Sequence, residues 1–530
     1  MNEKYKKNIE DGHTALGIEI GSSRIKSVLI NKDNVILAQG NYTWENRLIE
    51  GVWTYPLSEI WTGIQNCYVD LTSNVKSLYN TELKTFGAIG VSAMMHGYLV
   101  FDKNDDILTP YRTWRNTMTA DATEVLIREF NFNIPQRWSI AHLYHSILNK
   151  EDHVSEINYL TSLAGYVHWQ LTGKKVTGIN DASGIFPIDF NTLLYDMKMI
   201  EKFEALVEGE KYSWNLTDIL PKILIAGKSA GYLTHAGVKL IDPSGTLKPG
   251  IPLAPPEGDG GTGMIATNSI IPRTGNISGG TSIFGMVVLE APLKTVHEEI
   301  EIFSTPDGLP VAMVHCNNGT SDLDHWVQVF AQLLERFDVD IPIERLYDEL
   351  YFLALEGDKD CGGVMVHNYI SGEHITKFSE GRPLVVRASN AQFNLSNFLR
   401  AMINSIMATL RIGMDILTEE ESVHIDNMFG HGGFFKTINV GQSLMANALK
   451  TPISVMKSAG EGGAWGMALL ALYLVDGADL SLKEFLEKRV FNKQKSIRIE
   501  PNIEDMQGFD KFFEKYKSSL AIQEMAIQSI

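Results

Sequence analysis

The stretch "GIEIGSSRIKSVLI", Gly17 to Ile30, sets two short apolar runs on either side of Gly-Ser-Ser. Runs of this length around a Gly-containing turn read as two strands of a hairpin. A hairpin accounts for the apolar residues and for Gly21. It does not call for Glu19 inside the first run or Lys26 inside the second. Working outward, a third strand reads near "NVILAQGNYT", and "LSEIWTGIQNCYVDLTSNVKSLY" carries apolar residues at helical spacing up to Tyr79. "FGAIGVSAM" (86–94) is a continuous apolar run and reads as a buried strand. Strands followed by helices give an α/β sheet covered on its faces.

A second strand-turn-strand lies at "NISGGTSIFGMVVL" (276–289). Gly280-Thr281-Ser282 takes the place there of Gly21-Ser22-Ser23. One Gly-hydroxyl turn is ordinary turn chemistry. Two, one near the start of each half, point to a duplicated domain. The boundary falls near 265–275, where "MIATNSIIPRTG" carries Pro and Gly. At 530 residues the chain exceeds one ordinary core, which agrees with two large domains.

The net charge is −18, from 46 Lys and Arg against 64 Asp and Glu. This argues against nonspecific binding to nucleic acid or an anionic membrane. Cys67, Cys316 and Cys361 are odd in number and widely spaced. They form neither a disulfide framework nor a CxxC zinc pair, and a reducing cytoplasm is the expected setting. The first residues, "MNEKYKKNIEDGHT", are charged and lack the apolar centre of a secretory signal, and no apolar run reaches membrane-spanning length.

Four further observations bear on chemistry. Tight Gly-Ser/Thr turns expose successive N–H groups that can hold one anion. Glu19 beside such an anion is unfavourable unless a cation lies between them, and Mg²⁺ is the usual one. In "APPEGDGGTGM", Asp259 sits among glycines that let other groups approach, so it can accept a proton from an attacking hydroxyl; alone, a plain Asp-Gly turn explains it as well. "SAMMHGYLVFD" places Met95 and His96 at the end of a strand, where α/β sheets bind ligands, and Trp114 in "YRTWRN" offers an indole face to a sugar; core packing is the competing reading. "MFGHGGFFKTINVGQSLMANAL" carries Gly430, Gly432 and Gly433 before a helix, and "SAGEGGAWGMALLALYL" (458–474) carries Gly462 and Gly463. Such turns admit a phosphate or a nucleotide base at a helix start.

Taken in order, these segments resemble the FGGY carbohydrate kinases of the actin/hexokinase/sugar-kinase superfamily, from about residue 15 to about 475. "GIEIGSSRIKSVLI" is similar to the first phosphate motif and "SGGTSIF" to the second. "MMHG" with "RTWRN" is similar to the sugar-site segment of the xylulokinase branch, and "TGINDASGIFPID" to the family's Asp-Ala-Ser/Ala segment. "EGDGG" is similar to the catalytic-Asp segment, and "GHGG" with "GEGGAWGMALLA" to the adenosine region. The resemblance implies an α/β fold of two RNase H-like domains with an interdomain cleft, Mg²⁺ and ATP. It implies a sugar-binding domain over 14–268 and an ATP-binding domain over 269–490, flanked by a solvated leader read over 1–13 and a helical extension expected over 491–530.

By position, Asp259 becomes the general base and Glu19 the metal-side carboxylate. Met95, His96, Trp114 and Asp181 become sugar-site residues. Gly21, Ser22, Ser23, Lys26, Gly280, Thr281, Ser282, Gly432, Gly433, Gly462 and Gly463 become ATP or phosphate neighbours. The chain departs from the family at Glu19 (usually Asp), Ser22 (usually Thr), Gly260 (usually Asn) and Trp114-Arg115-Asn116 (usually Trp-x-Asp). "SIAHLYHSIL" (139–148), with His142 and His145, stands where a Lys/Trp signature is usual.

The expected activity is ATP-dependent phosphorylation of a 2-ketopentose, D-xylulose or L-ribulose, on its terminal hydroxyl. Another small sugar or a polyol stays open as acceptor. An activator-type ATPase would also carry both turns, without a sugar pocket. A silent sugar-binding regulator would keep the pocket and lose the base. A homodimer is a family-level expectation only.

Overall fold

The structure is a computed structural model that describes residues 2–456, 462–477, 479–492, 494 and 496–530. It divides into two compact units. Described residues within 1–270, 302–311 and 461–493 make the first, and those within 271–301, 312–460 and 494–530 the second.

The first unit starts with helix α1 (Asn2–Glu10), where a solvated leader was expected. Ile9 is buried, Tyr5 meets the Tyr79 ring edge-on at 6.4 Å, and Thr81 donates to Glu10. Two apolar side chains therefore dock a segment that otherwise reads as charged. The sheet follows, with β1 (Thr14–Ile20), β2 (Arg24–Asn31) and β3 (Ile36–Thr43) as an antiparallel meander. Helix α2 (Leu57–Tyr79) buries Ile60, Ile64, Tyr68, Leu71 and Val75 on one face, and it ends at Asn80 in the left-handed conformation. Strand β4 (Ala88–Ala93) is buried along its whole length and runs parallel to β1. Further along lie helix α3 (Ile179–Ala182), strand β5 (Glu257–Gly258), parallel to β4, and helix α4 (Asp259–Ala266). The sheet order is β5-β4-β1-β2-β3. Because β1, β4 and β5 are parallel, their C-terminal ends lie at one sheet edge, where open α/β sheets hold ligands.

The second unit repeats the plan. The second sheet comprises β6 (Thr274–Gly279), β7 (Ile283–Val288), β8 (Ile300–Ser304), β9 (Pro310–Cys316), β10 (Asn427–His431), β11 (Ile453–Met456) and β12 (Ser496–Ile499), in the order β8-β9-β7-β6-β10-β11-β12, with residues 302–304 and 310–311 of β8 and β9 grouped in the first unit. As with β1, strand β6 pairs with its hairpin partner β7 on one side and with the parallel β10 on the other. The expected RNase H-like architecture is thus present twice. Helix α5 (Ser321–Arg336) follows β9, and α6 (Val440–Leu449) follows β10.

Helix α7 (Gly462–Asp476) belongs to the first unit, although the sequence reading counted it within 269–490. It packs on β1 and β4. A Cβ at Gly17 would lie 2.1 Å from the Ala464 carbonyl oxygen and 2.4 Å from the Ala468 nitrogen, so only a bare Cα lets the helix backbone approach. The tail beyond 491 supplies β12 to the second sheet, antiparallel to β11, before the expected helix α8 (Ile503–Ser529). Among the described residues no helix is long and apolar enough to cross a membrane.

Gly17→Ala is expected to lower stability by about 1–3 kcal/mol, because the clash is with backbone rather than with a yielding side chain. Gly209→Ala, where nothing lies within 4 Å of the new methyl, serves as the comparison. Equal melting temperatures for the two variants would contradict the close packing of α7.

Candidate active site

The first unit gathers carboxylates at the C-terminal edge of its sheet. Glu19 on β1 stands directly across from Lys26 on β2. Glu19 Oε2 accepts from the Ala464 N–H at the start of α7 (3.2 Å). Burial raises the Glu19 pKa, and the Lys26 charge and the Ala464 N–H oppose the rise. A Cβ on Gly463 would meet Glu19 Oε1 at 2.4 Å, so the helix start must be bare there. Gly462 and Gly463, read from sequence as adenosine-region residues, therefore lie beside Glu19 and Lys26 in the first unit.

Asp259 opens α4, and its Oδ1 accepts from the Met95 N–H (3.3 Å). Its pKa is pushed up to about 7, first by burial and then by the Glu19 charge, while the Met95 and Gly260 N–H groups work against the rise. Behind it, Thr262 and Ser92 share a hydroxyl–hydroxyl contact of 3.1 Å.

The Gly21–Ser23 turn is held by its carbonyls. Trp44 Nε1 donates to Gly21 O (2.8 Å), Tyr55 Oη donates to Ser22 O, and the Trp44 N–H donates to Ser23 O (3.2 Å). The Trp44 and Tyr55 rings stack at 4.2 Å. Trp114 Nε1 donates to Ser22 Oγ (3.0 Å), so the indole expected at the sugar site also braces the Gly21–Ser23 turn. Among the described residues, this leaves the Ser22 and Ser23 N–H groups as the open donors of the turn.

The other expected sugar-site residues, Met95, His96 and Asp181, are all buried. His96 has a positive φ (69°) and stacks on Trp138 (6.2 Å) and tilts against Phe303 (5.6 Å), beside Met95. Asp181 is 1% exposed. Its Oδ2 accepts from Ser162 and Thr177, and burial raises its pKa to about 6 against those two bonds. His142 is fully buried, and desolvation brings it down to about 3.

In the second unit the Gly280–Ser282 turn is tied by other means. The Thr320 N–H donates to Gly280 O (2.8 Å), the Gly319 N–H to Thr281 O (2.8 Å), and Ser321 Oγ also donates to Thr281 O (3.1 Å). Gly432 has a φ of 92° and crosses over Gly279, where a Cβ would sit 2.4 Å from the Gly279 oxygen. Gly432 and Gly433 are exposed, whereas Phe434 and Phe435 beside them are buried.

Among the described residues no three His, Cys, Asp or Glu side chains form a ready metal cage. The donors present suit Mg²⁺ bound through one or two carboxylates, water and phosphate oxygens. Glu19 is the carboxylate placed for it, and the raised pKa values around Glu19 and Asp259 mark a place where added positive charge is favoured. Sequence reasoning missed the Ala464 amide, Asn180 and Glu257. The last two adjoin residues it did single out.

Residues 14–265 match the N-terminal domain of the FGGY family of carbohydrate kinases, and residues 275–475 match its C-terminal domain. The chain is 23% identical over 446 residues to a xylulose kinase of Haemophilus influenzae, covering 82% of this chain and 84% of the relative. It is similar in structure to a ligand-bound xylulose kinase from Lactobacillus acidophilus, with a TM-score of 0.78, 19% identity and coverage of 96% and 98%. A gluconate kinase from the same organism gives a TM-score of 0.79, also at 19% identity and the same coverage.

In metal-free protein, Asp259 is expected to titrate near pH 7. Glu19→Gln removes a like charge, so the Asp259 midpoint should move down by roughly one pH unit. Carboxyl-stretch difference infrared spectra, with Asp259→Asn as the blank, measure both midpoints. An unchanged midpoint would show that the two carboxyls do not interact.

Proposed function

Because the chain belongs to the FGGY family of carbohydrate kinases, and is thus an ATP-using sugar kinase, we propose that its acceptor is a 2-ketopentose, D-xylulose or L-ribulose, phosphorylated on the terminal hydroxyl. The observation that carries this reading is Asp259, held at the sheet edge by the Met95 N–H with a pKa near 7. A base tuned to the working pH is what proton removal from a sugar hydroxyl asks for. Met95 and His96 lie beside it, in the segment that resembles the xylulokinase branch. The relatives named xylulose kinases add support, while similarity to a gluconate kinase keeps other small sugars and polyols as the second reading.

In the proposed reaction Asp259 Oδ accepts the hydroxyl proton as the hydroxyl oxygen attacks the γ-phosphorus. The bond to the β-γ bridging oxygen breaks, leaving ADP and the sugar phosphate. Transfer depends on positioning and charge stabilisation rather than on covalent chemistry by the protein. In this reading each unit offers phosphate its own turn, Ser22–Ser23 in the first and Thr281–Ser282 in the second. Glu19 would hold Mg²⁺ through water, and the ion would supply neutralisation of phosphate charge. The three cysteines are free and buried, which supports the cytoplasm as the setting.

A coupled ADP-release assay with Mg-ATP and D-xylulose, L-ribulose, D-ribulose, L-xylulose, D-fructose, gluconate, glycerol and erythritol tests the acceptor. Strong stimulation by D-xylulose or L-ribulose is expected, and stimulation by gluconate or a polyol alone would overturn the pentulose reading. With the preferred sugar, Asp259→Asn should lower kcat roughly 10²–10⁴-fold and leave ATP affinity nearly unchanged. Near-normal turnover would remove Asp259 from the role of base.

A further inference from the structure

Glu257 lies in β5, two residues before Asp259, and is 1% exposed. Facing it is α3, whose N-cap is Gly178, an extended residue (φ −74°, ψ 155°) with no side chain to offer the helix. The first amides of a helix need an acceptor, normally the N-cap side chain. Here the acceptor arrives from another strand. Glu257 Oε2 accepts from the Asp181 N–H (3.3 Å), and the Asn180 N–H bonds to the same carboxyl group. A Cβ on Gly178 would lie 2.2 Å from the Glu257 carboxyl carbon and 2.4 Å from each of its oxygens. The Glu257 carboxyl thus fills the place of a residue-178 side chain.

The connection runs in the other direction too. Asn180 Oδ1 accepts from the Gly261 N–H (3.1 Å) in the first turn of α4, and Asn180 Nδ2 donates to Ser304 O (2.7 Å). The chain on both sides of Asp259 is therefore bonded to α3, through the Glu257 carboxyl before it and the Gly261 N–H after it.

We propose that Glu257 is a positioning residue for Asp259: its carboxyl caps α3 from outside and, paired with the Asn180–Gly261 bond, fixes the β5–α4 junction from which Asp259 projects. This rests on Asp259 being the proton acceptor. The charged groups acting on Glu257 are the carboxyls of Asp181 and Asp307, and burial raises its pKa well above the carboxylate range. A neutral acid in this place has the shape of glutamine, which keeps the accepting oxygen.

The geometry makes the cap transferable. Asp at position 178 would present its carboxylate to the same amides from the usual N-cap position. The experiment compares Glu257→Gln, Glu257→Gly, and Gly178→Asp combined with Glu257→Gly. It measures kcat, sugar KM, and amide hydrogen exchange at Asp181 and Gly261. Glu257→Gln should keep kcat within about threefold of the parent. Glu257→Gly should lower kcat by roughly ten- to a hundredfold at nearly constant sugar KM, with faster exchange at both amides, because a small misplacement of the base is costly. The double variant should regain most of the lost kcat and re-protect both amides.

A parent-like kcat in Glu257→Gly overturns the proposal. So does a rise in KM at constant kcat, which marks a sugar contact instead. A double variant with both amides re-protected and kcat still low also overturns it. The exchange measurements need no substrate, so they read the cap even if every sugar fails in the assay.

Discussion

The first unit is organised around the approach of α7 to β1. Alternate residues of a strand face the same way, so Gly17 and Glu19 present to one face of the sheet. Gly17 is bare, and the helix backbone comes down onto it. Two residues further along, Glu19 meets the beginning of the same helix and accepts the Ala464 N–H. The contact that closes the core thereby decides where a buried carboxylate can be kept. It also explains why Glu19 interrupts an apolar run: a helix start supplies N–H groups that a plain hairpin would not. The longer side chain of glutamate is used to span from the strand to that helix.

Each unit ties the carbonyls of its Gly-hydroxyl turn, and does so with different parts. In the Gly21–Ser23 turn the carbonyls are tied mainly by aromatic donors, Trp44 and Tyr55. In the Gly280–Ser282 turn they are tied by the Gly319 and Thr320 N–H groups and by Ser321 Oγ. Either way the carbonyl oxygens, which would repel a phosphate, are occupied, as the proposed phosphate-binding role requires. In both sheets the turn joins a strand to its antiparallel hairpin partner while a parallel strand flanks the first on its other side, so the repeat lies in this local topology while the bracing differs.

This division explains what could be read from the sequence. Short apolar runs, Gly-hydroxyl turns and the glycines around Asp259 are local signals, and they pointed to the sheets, the turns and the carboxylate proposed as the base. The assignment of Gly462 and Gly463 to the surroundings of Glu19 depends on a contact between residues 445 positions apart. Trp114 was legible as an aromatic near the site, but nothing nearby in sequence shows that its N–H is spent on Ser22. α1 reads as a charged leader because its apolar docking rests on few side chains, chiefly Tyr5 and Ile9. Glu257 stood in the quoted segment beside Asp259, yet its role appears only once Gly178 is seen to lack the side chain that would cap α3.

Four carboxyls, Glu19, Asp181, Glu257 and Asp259, are buried or nearly so at one edge of this sheet, and each has a raised pKa. Among the described residues Lys26 is the single cation acting on any of them. Arg or Lys partners would have lowered these pKa values and left Asp259 a weak base. The protein instead offers dipoles: N–H groups from Ala464, Met95 and Asp181, and the hydroxyls of Ser162 and Thr177. Dipoles satisfy buried oxygens without cancelling the charge that keeps proton affinity high. In the proposed reaction, the positive charge withheld here arrives with the metal–nucleotide, so the site is electrostatically complete only when the phosphoryl donor is bound.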